Sequence, residues 1–187
     1  GCGGGGGGDG VERPVSDLLL FYGDNGGAGD GLFKIQDGVL SLVKTINTSG
    51  RSEVQEVTAY GDYAIFSACD AFGCEPWITD GTSDGTLLLK DVNPGVGDSS
   101  PAGYIFYDDE IFFTADDGDH GVELWKTDGT EAGTVLVKDN NMTVSSIPPR
   151  IAHVNGTLSS SATDVSAGPD RLPSYCSATG TAILRDT

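Results

Sequence analysis

Positive charge is scarce in this chain: 10 Lys and Arg stand against 28 Asp and Glu, for a net charge of -18. A surface of that sign repels phosphate backbones and anionic bilayers, which excludes nucleic-acid binding. No apolar run reaches the roughly 18 residues that a membrane-crossing helix needs. Apolar residues never hold a 3.6-residue spacing for long, and 29 glycines interrupt the chain, so helices of any length are excluded. Histidine is limited to His120 and His153, each expected in an exposed loop, and neither a His-Glu-x-x-His pair nor a phosphate-binding glycine loop occurs. The arginines Arg13, Arg51, Arg150, Arg171 and Arg185 avoid the best-preserved parts of the chain. That leaves no cluster to clamp a substrate carboxylate.

What the chain does have is repetition. Glu123-Leu124-Trp125-Lys126-Thr127-Asp128-Gly129-Thr130, continued by Glu131-Ala132-Gly133-Thr134 and a Val-Leu-Val-Lys-Asp ending, restates the segment from Glu75 to Asp91 that lies 48 residues earlier. Two worn copies flank them: Leu32-Phe33-Lys34-Ile35-Gln36-Asp37-Gly38 keeps the aromatic and the Asp-Gly turn, and Gly180-Thr181-Ala182-Ile183-Leu184-Arg185-Asp186 keeps the ending. The copies run at about 11 to 46, 54 to 91, 102 to 139 and 149 to 186, after a Gly-rich tether at 1 to 10. A period in this range marks an array of one supersecondary unit.

Within the best copy, Gly103 to Tyr107 and Glu110 to Thr114 are aromatic and β-branched runs separated by Asp108-Asp109, the pattern of a hairpin. Val122 to Thr127 and Thr134 to Lys138 add two more short strands. Four strands in a unit of this length point to an all-β fold, a β-propeller-like array of four four-stranded repeats. A β-sandwich or β-solenoid of meander hairpins is the alternative.

The Asp-Gly-Thr-x-x-Gly-Thr core reads as a corner between two strands. Gly81, Gly85, Gly129 and Gly133 are expected to supply positive φ, while Asp80, Asp128 and the threonines hydrogen-bond to turn backbone. Trp77 and Trp125, one per unit at a fixed register, are expected to pack between sheets.

The segment Glu123-Leu124-Trp125-Lys126-Thr127-Asp128-Gly129-Thr130 resembles the ELWxxDGT repeat family of large bacterial secreted and surface proteins, strongly over the two central copies and in outline over the outer two. A likeness to the Asp-box of sialidase-type propellers is weak, because the Ser-x-Asp-x-Gly-x-Thr-Trp order is not reproduced. The first resemblance implies an extracytoplasmic, repeat-built β protein, and it carries over no catalytic residue.

Gly1-Cys2 followed by a glycine run looks like the mature end of a bacterial lipoprotein, with Cys2 bearing the lipid and the glycines forming a leash. Such an anchor would hold the protein at the cell envelope or surface without a spanning helix. An incidental cysteine in a low-complexity tail is the plainer alternative.

Cys69 and Cys74 flank a short link between two strands, where a disulfide is sterically reasonable in an oxidising compartment. Zinc is poorly served by this pair, since the spacing is Cys-x4-Cys and no second pair exists. Cys176 has no obvious partner and fits a buried small hydrophobe. Asp116, Asp117 and Asp119 crowd a glycine-bearing loop and offer hard oxygen ligands, so calcium is a candidate cofactor, with an ordinary solvated acidic loop as the alternative.

These features lead to the expectation of a non-enzymatic, lipid-anchored surface module that binds a protein or glycan partner. Two other readings stay open. One is a glycan-active propeller hydrolase; the other is a fragment of a longer repeat protein without independent activity.

Overall fold

The computed structural model describes residues 18–24 and 30–138, and strand backbone at 151–154, 157–162, 172–177 and 180–183. The tether and Cys2 lie outside the described residues. Among those residues there is no helix, and the strands form four antiparallel sheets in chain order. Sheet 1 holds β1 (Leu19–Asp24), β2 (Asp30–Gln36) and β3 (Val39–Lys44). Sheet 2 holds β4 (Gln55–Tyr60), β5 (Tyr63–Asp70), β6 (Gly73–Thr79) and β7 (Leu87–Leu88). Sheet 3 holds β8 (Ala102–Tyr107), β9 (Glu110–Asp116), β10 (Val122–Thr127) and β11 (Val135–Lys138). Sheet 4 follows with β12 (Ile151–Val154), β13 (Thr157–Ala162), β14 (Leu172–Ser177) and β15 (Gly180–Ile183).

Each sheet is a simple meander, and the first strands of consecutive sheets lie beside one another: β1 meets β4, β4 meets β8 and β8 meets β12. This is the propeller-like, all-β architecture that the repeats predict, and the sheets fall within the four copies. Sheet 1 shows three strands rather than four among the described residues. Its β2 and β3 are joined by Asp37 (φ 52°) and Gly38 (φ 74°), both left-handed. A tight two-residue reversal thus stands in this copy where sheets 2 and 3 have a longer corner. The same device closes β8 to β9, where Asp108 and Asp109 have φ of 53° and 63°.

Burial on both faces explains why the sheets stack. Along β5 the side chains alternate: Phe66 and Ala68 join Trp77 in packing against Leu32 and Val43 of sheet 1, while Ile65 packs with Ile111 of sheet 3 and Leu89. Trp125 repeats the role one sheet later with Phe113, Ala115 and Val92, and Phe112 with Leu124 forms a cluster on the far side of sheet 3. Trp77 lies opposite Phe66, Trp125 opposite Phe113, and in sheet 1 Phe33 lies opposite Phe21. Such cross-strand aromatic pairs supply much of the area each layer buries.

The indole nitrogens of Trp77 and Trp125 are buried with no acceptor among the described residues. Their value is thus apolar area, and Phe33 already stands at the corresponding place in sheet 1. Replacing Trp77 with Phe keeps most of that area but leaves a small void, and is expected to cost about 1–2 kcal/mol in urea unfolding. Trp77→Ala is expected to cost about 3–5 kcal/mol. Equal losses for the two variants would show that the indole N–H, not the packing, matters.

Candidate functional site

The Asp-Gly-Thr corners close on themselves. In sheet 3, Asp128 Oδ1 accepts from the Thr130 amide at 2.9 Å and the Thr130 hydroxyl at 2.7 Å, and the Gly133 amide donates to Thr130 Oγ1 at 2.9 Å. Thr134 donates its hydroxyl to the Thr130 carbonyl at 2.7 Å and sits 2.8 Å from Thr127 Oγ1, which accepts from the Gly129 amide. Sheet 2 repeats each of these bonds with Thr79, Asp80, Gly81, Thr82, Gly85 and Thr86. The threonine hydrogen bonds hold the Asp80 and Asp128 carboxyls below the usual carboxylate range.

The glycines do not all act as the sequence suggests. Gly81 (φ 83°) and Gly129 (φ 88°) are left-handed, but Gly85 and Gly133 are not. At those two positions the requirement is space, because a Cβ would run into the carboxylate of Asp80 or Asp128. Gly81 to Gly85 also spells Gly-x-Ser-x-Gly through Ser83. That pattern marks a hydrolase nucleophile only on a strand-to-helix turn. Here it joins two strands, and Ser83 is an exposed corner residue whose carbonyl accepts from Lys44.

A second repeated device was not apparent in the sequence. Glu75, on β6 two residues before Trp77, is 2% exposed and gathers the segment leading to sheet 3. Its carboxylate accepts from the amides of Val92 (2.8 Å), Asn93 (3.4 Å) and Ser99 (3.2 Å) and from the Ser99 hydroxyl (2.7 Å). Burial pushes its carboxyl up, and these bonds offset part of that rise. Asp30 does the same between sheets 1 and 2, taking the Ser52 amide and the Tyr22 hydroxyl. Glu123 is likewise fully buried, on β10 at the place equivalent to Glu75. The signal was the repeated Glu-x-Trp spacing.

The other expected sites fall as follows. Cys69 and Cys74 are cross-strand partners on β5 and β6 and their sulfurs are bonded, at 1.96 Å. Cys176 lies on β14 in register with Leu158. In the acidic loop, Asp117 accepts from the amides of Asp119 and His120 and from the His120 ring at 2.7 Å, while Asp116 accepts from Gly118. Burial raises the Asp117 carboxyl, but the His120 and Asp119 bonds outweigh it and hold the group low. These carboxylates thus serve their own loop backbone. Among the described residues, one group of His, Cys, Asp or Glu ligand atoms converges within 4.8 Å, and it is Glu53, Cys69 and Cys74.

One cleft combines these parts into a candidate binding site. It has a volume of about 490 Å³, lies between sheets 1 and 2, and is lined by Leu18, Leu20, Lys34, Gln36, Asp62, Tyr63 and the Thr79 to Thr82 corner, among others. Lys34 reaches across it to donate to the Gly81 carbonyl at 2.9 Å, and its charge lowers the Asp80 carboxyl further. Tyr63, just after the β4–β5 turn, is 51% exposed. Among the described residues no His, Cys or Ser lines the cleft, and the corner hydroxyls are committed, Thr79 to Thr86 and Thr82 to the Asp80 carboxylate. Chemically the arrangement is equipped to hold a polar ligand against an aromatic ring.

No protein-family model and no curated protein matches this chain. Solved structures similar to it include TolB from Acinetobacter baumannii, at 10% identity and a TM-score of 0.47, over 91% of this chain and 41% of that one. Others are an alpha-L-arabinofuranosidase from Clostridium thermocellum (11% identity, TM-score 0.35, 82% and 61% of the two chains) and an endo-1,4-beta-xylanase from Bacteroides thetaiotaomicron (13%, 0.35, 93% and 73%). The chain thus spans less than half the length of TolB. With each of these TM-scores below 0.5, the fold assignment rests on the sheets described above.

Changing Gly133 to Ala tests the corner. The new methyl must displace the Asp128 carboxylate from Thr130, with an expected loss of about 1–3 kcal/mol in thermal or urea unfolding. In an Asp128→Ala background the same change should cost much less, a coupling that a double-mutant cycle reads directly. Additive losses would mean that the close approach is not what excludes a side chain at this position.

Proposed function

We propose that this chain is a non-enzymatic surface module of the bacterial cell envelope, anchored by lipid on Cys2, that binds a glycan in the cleft between sheets 1 and 2. The observation that carries the binding role is a 490 Å³ cleft lined by the half-exposed Tyr63 together with Gln36, Asp62 and Asp80. A sugar ring presents an apolar face to stack on an aromatic and hydroxyls to meet such a rim. The net charge of -18 favours neutral or amino sugars over anionic ones. The anchor is supported by Gly1-Cys2 and the glycine run alone. A protein partner would use the same exposed rim.

A hydrolase is less well supported by the cleft. Its carboxylates among the described residues are Asp62 and Asp80, and Asp80 is held ionised by Thr82, which is the wrong state for a general acid.

Titrating the protein with neutral and amino-sugar oligosaccharides, with heat or intrinsic fluorescence as readout, is expected to show saturable binding that Tyr63→Ala weakens at least tenfold without altering the unfolding transition. Binding untouched by this change, or confined to anionic sugars, would remove the cleft from the account. In cells, fatty-acid labelling of the protein should be lost in Cys2→Ser. Label that persists would refute the anchor.

A further inference from the structure

We infer that reduction of the Cys69–Cys74 bond turns this end of sheet 2 into a site for a thiophilic divalent cation, with Glu53 as the third ligand. The two cysteines sit directly opposite each other on neighbouring strands, so the sheet keeps their sulfurs close whether or not they are bonded. Zn–S bonds of about 2.3 Å in a tetrahedral arrangement place two sulfurs about 3.8 Å apart, a separation that a cross-strand pair reaches by small side-chain rotations. Glu53 comes from the segment before β4, and its Oε2 lies 3.9 Å from Cys69 Sγ. This third ligand is remote in sequence, which is why the Cys-x4-Cys spacing alone does not reveal it.

Access and electrostatics agree. An open cleft of about 300 Å³ runs beside the two sulfurs, and Glu56 and Asp98 line it together with Glu53. Both cysteines are half-buried and Glu53 is exposed, so a reductant and a hydrated cation can reach them. In the first step a dithiol reductant gives two electrons and two protons to the S–S bond and leaves as its own disulfide. In the second, the cation forms two metal–sulfur bonds as the two thiols release their protons, Glu53 supplies a carboxylate oxygen, and water completes the four-coordinate shell. Oxidation removes both sulfur ligands at once, so occupancy follows the redox state of the pair.

The test uses the full chain carrying Cys2→Ser and Cys176→Ser, so that only this pair can be reduced. Cadmium is the probe, read by thiolate-to-cadmium charge-transfer absorption, with zinc as competitor and magnesium as a control for general attraction to an acidic surface. Expected are uptake stoichiometric with the reduced protein, none by the oxidised protein, displacement by zinc and no effect of magnesium. Glu53→Gln, an exposed change that spares the fold, should raise the cadmium dissociation constant by roughly 10- to 100-fold while leaving some thiolate signal. Cys69→Ser combined with Cys74→Ser should abolish the signal. A reduced protein that binds no better than the oxidised form, or loses its sheet circular dichroism on reduction, overturns the proposal. An unchanged affinity in Glu53→Gln removes the third ligand and overturns it in this form.

Discussion

Neither face of the middle strands can be left to water. Phe66 and Ala68 on one side of β5 and Ile65 on the other are all buried, as are Phe112 and Phe113 on opposite sides of β9. A single sheet of this kind would expose a large apolar surface on both sides, so each one folds only with its neighbours in place. The serial arrangement follows from this. So does the spacing of the copies, since sheets 1, 2 and 3 each set an aromatic pair across equivalent strands.

Polar groups then determine how the layers are joined. The segment from Val92 to Ser99 crosses between sheets with its two ends buried, and the Glu75 carboxylate takes the amides of Val92, Asn93 and Ser99 together with the Ser99 hydroxyl. Asp30 fills the equivalent role one layer earlier with a shorter side chain and the Ser52 amide. A buried carboxylate is costly unless it is surrounded by donors, and here the donors need it equally. At the opposite end of the strands the Asp-Gly-Thr corners satisfy themselves, and they also serve as acceptors for adjoining layers: Lys34 bonds to Gly81 and Tyr60 to Asp128. The candidate cleft exists because the corner of sheet 2 stands beside the side chains of sheet 1, so its walls belong to two repeats.

Much of this was legible in residue order. The four copies, the hairpin at Asp108-Asp109, the inward placement of Trp77 and Trp125 and the self-bonded corners all follow from local spacing, because strand alternation and turn chemistry act over a few residues. The role of Gly133 was misread, since glycine answers both to φ and to space, and only the position of the Asp128 carboxylate separates the two. Asp116 and Asp117 turn their oxygens toward their own backbone amides, a choice that composition does not express.

By itself the sequence determined the class of structure and the unit that repeats, because period, alternation and turn residues are properties of neighbours along the chain. Tertiary structure alone decided what meets between sheets: Glu75 with Val92 and Ser99 of the segment leading to sheet 3, Lys34 with the corner at Gly81, Tyr60 with Asp128. Each of these joins residues separated by 17 or more positions in the chain. Their meeting depends on how one twisted layer is set against the next, and that offset is fixed by packing summed over many side chains rather than by any local pattern.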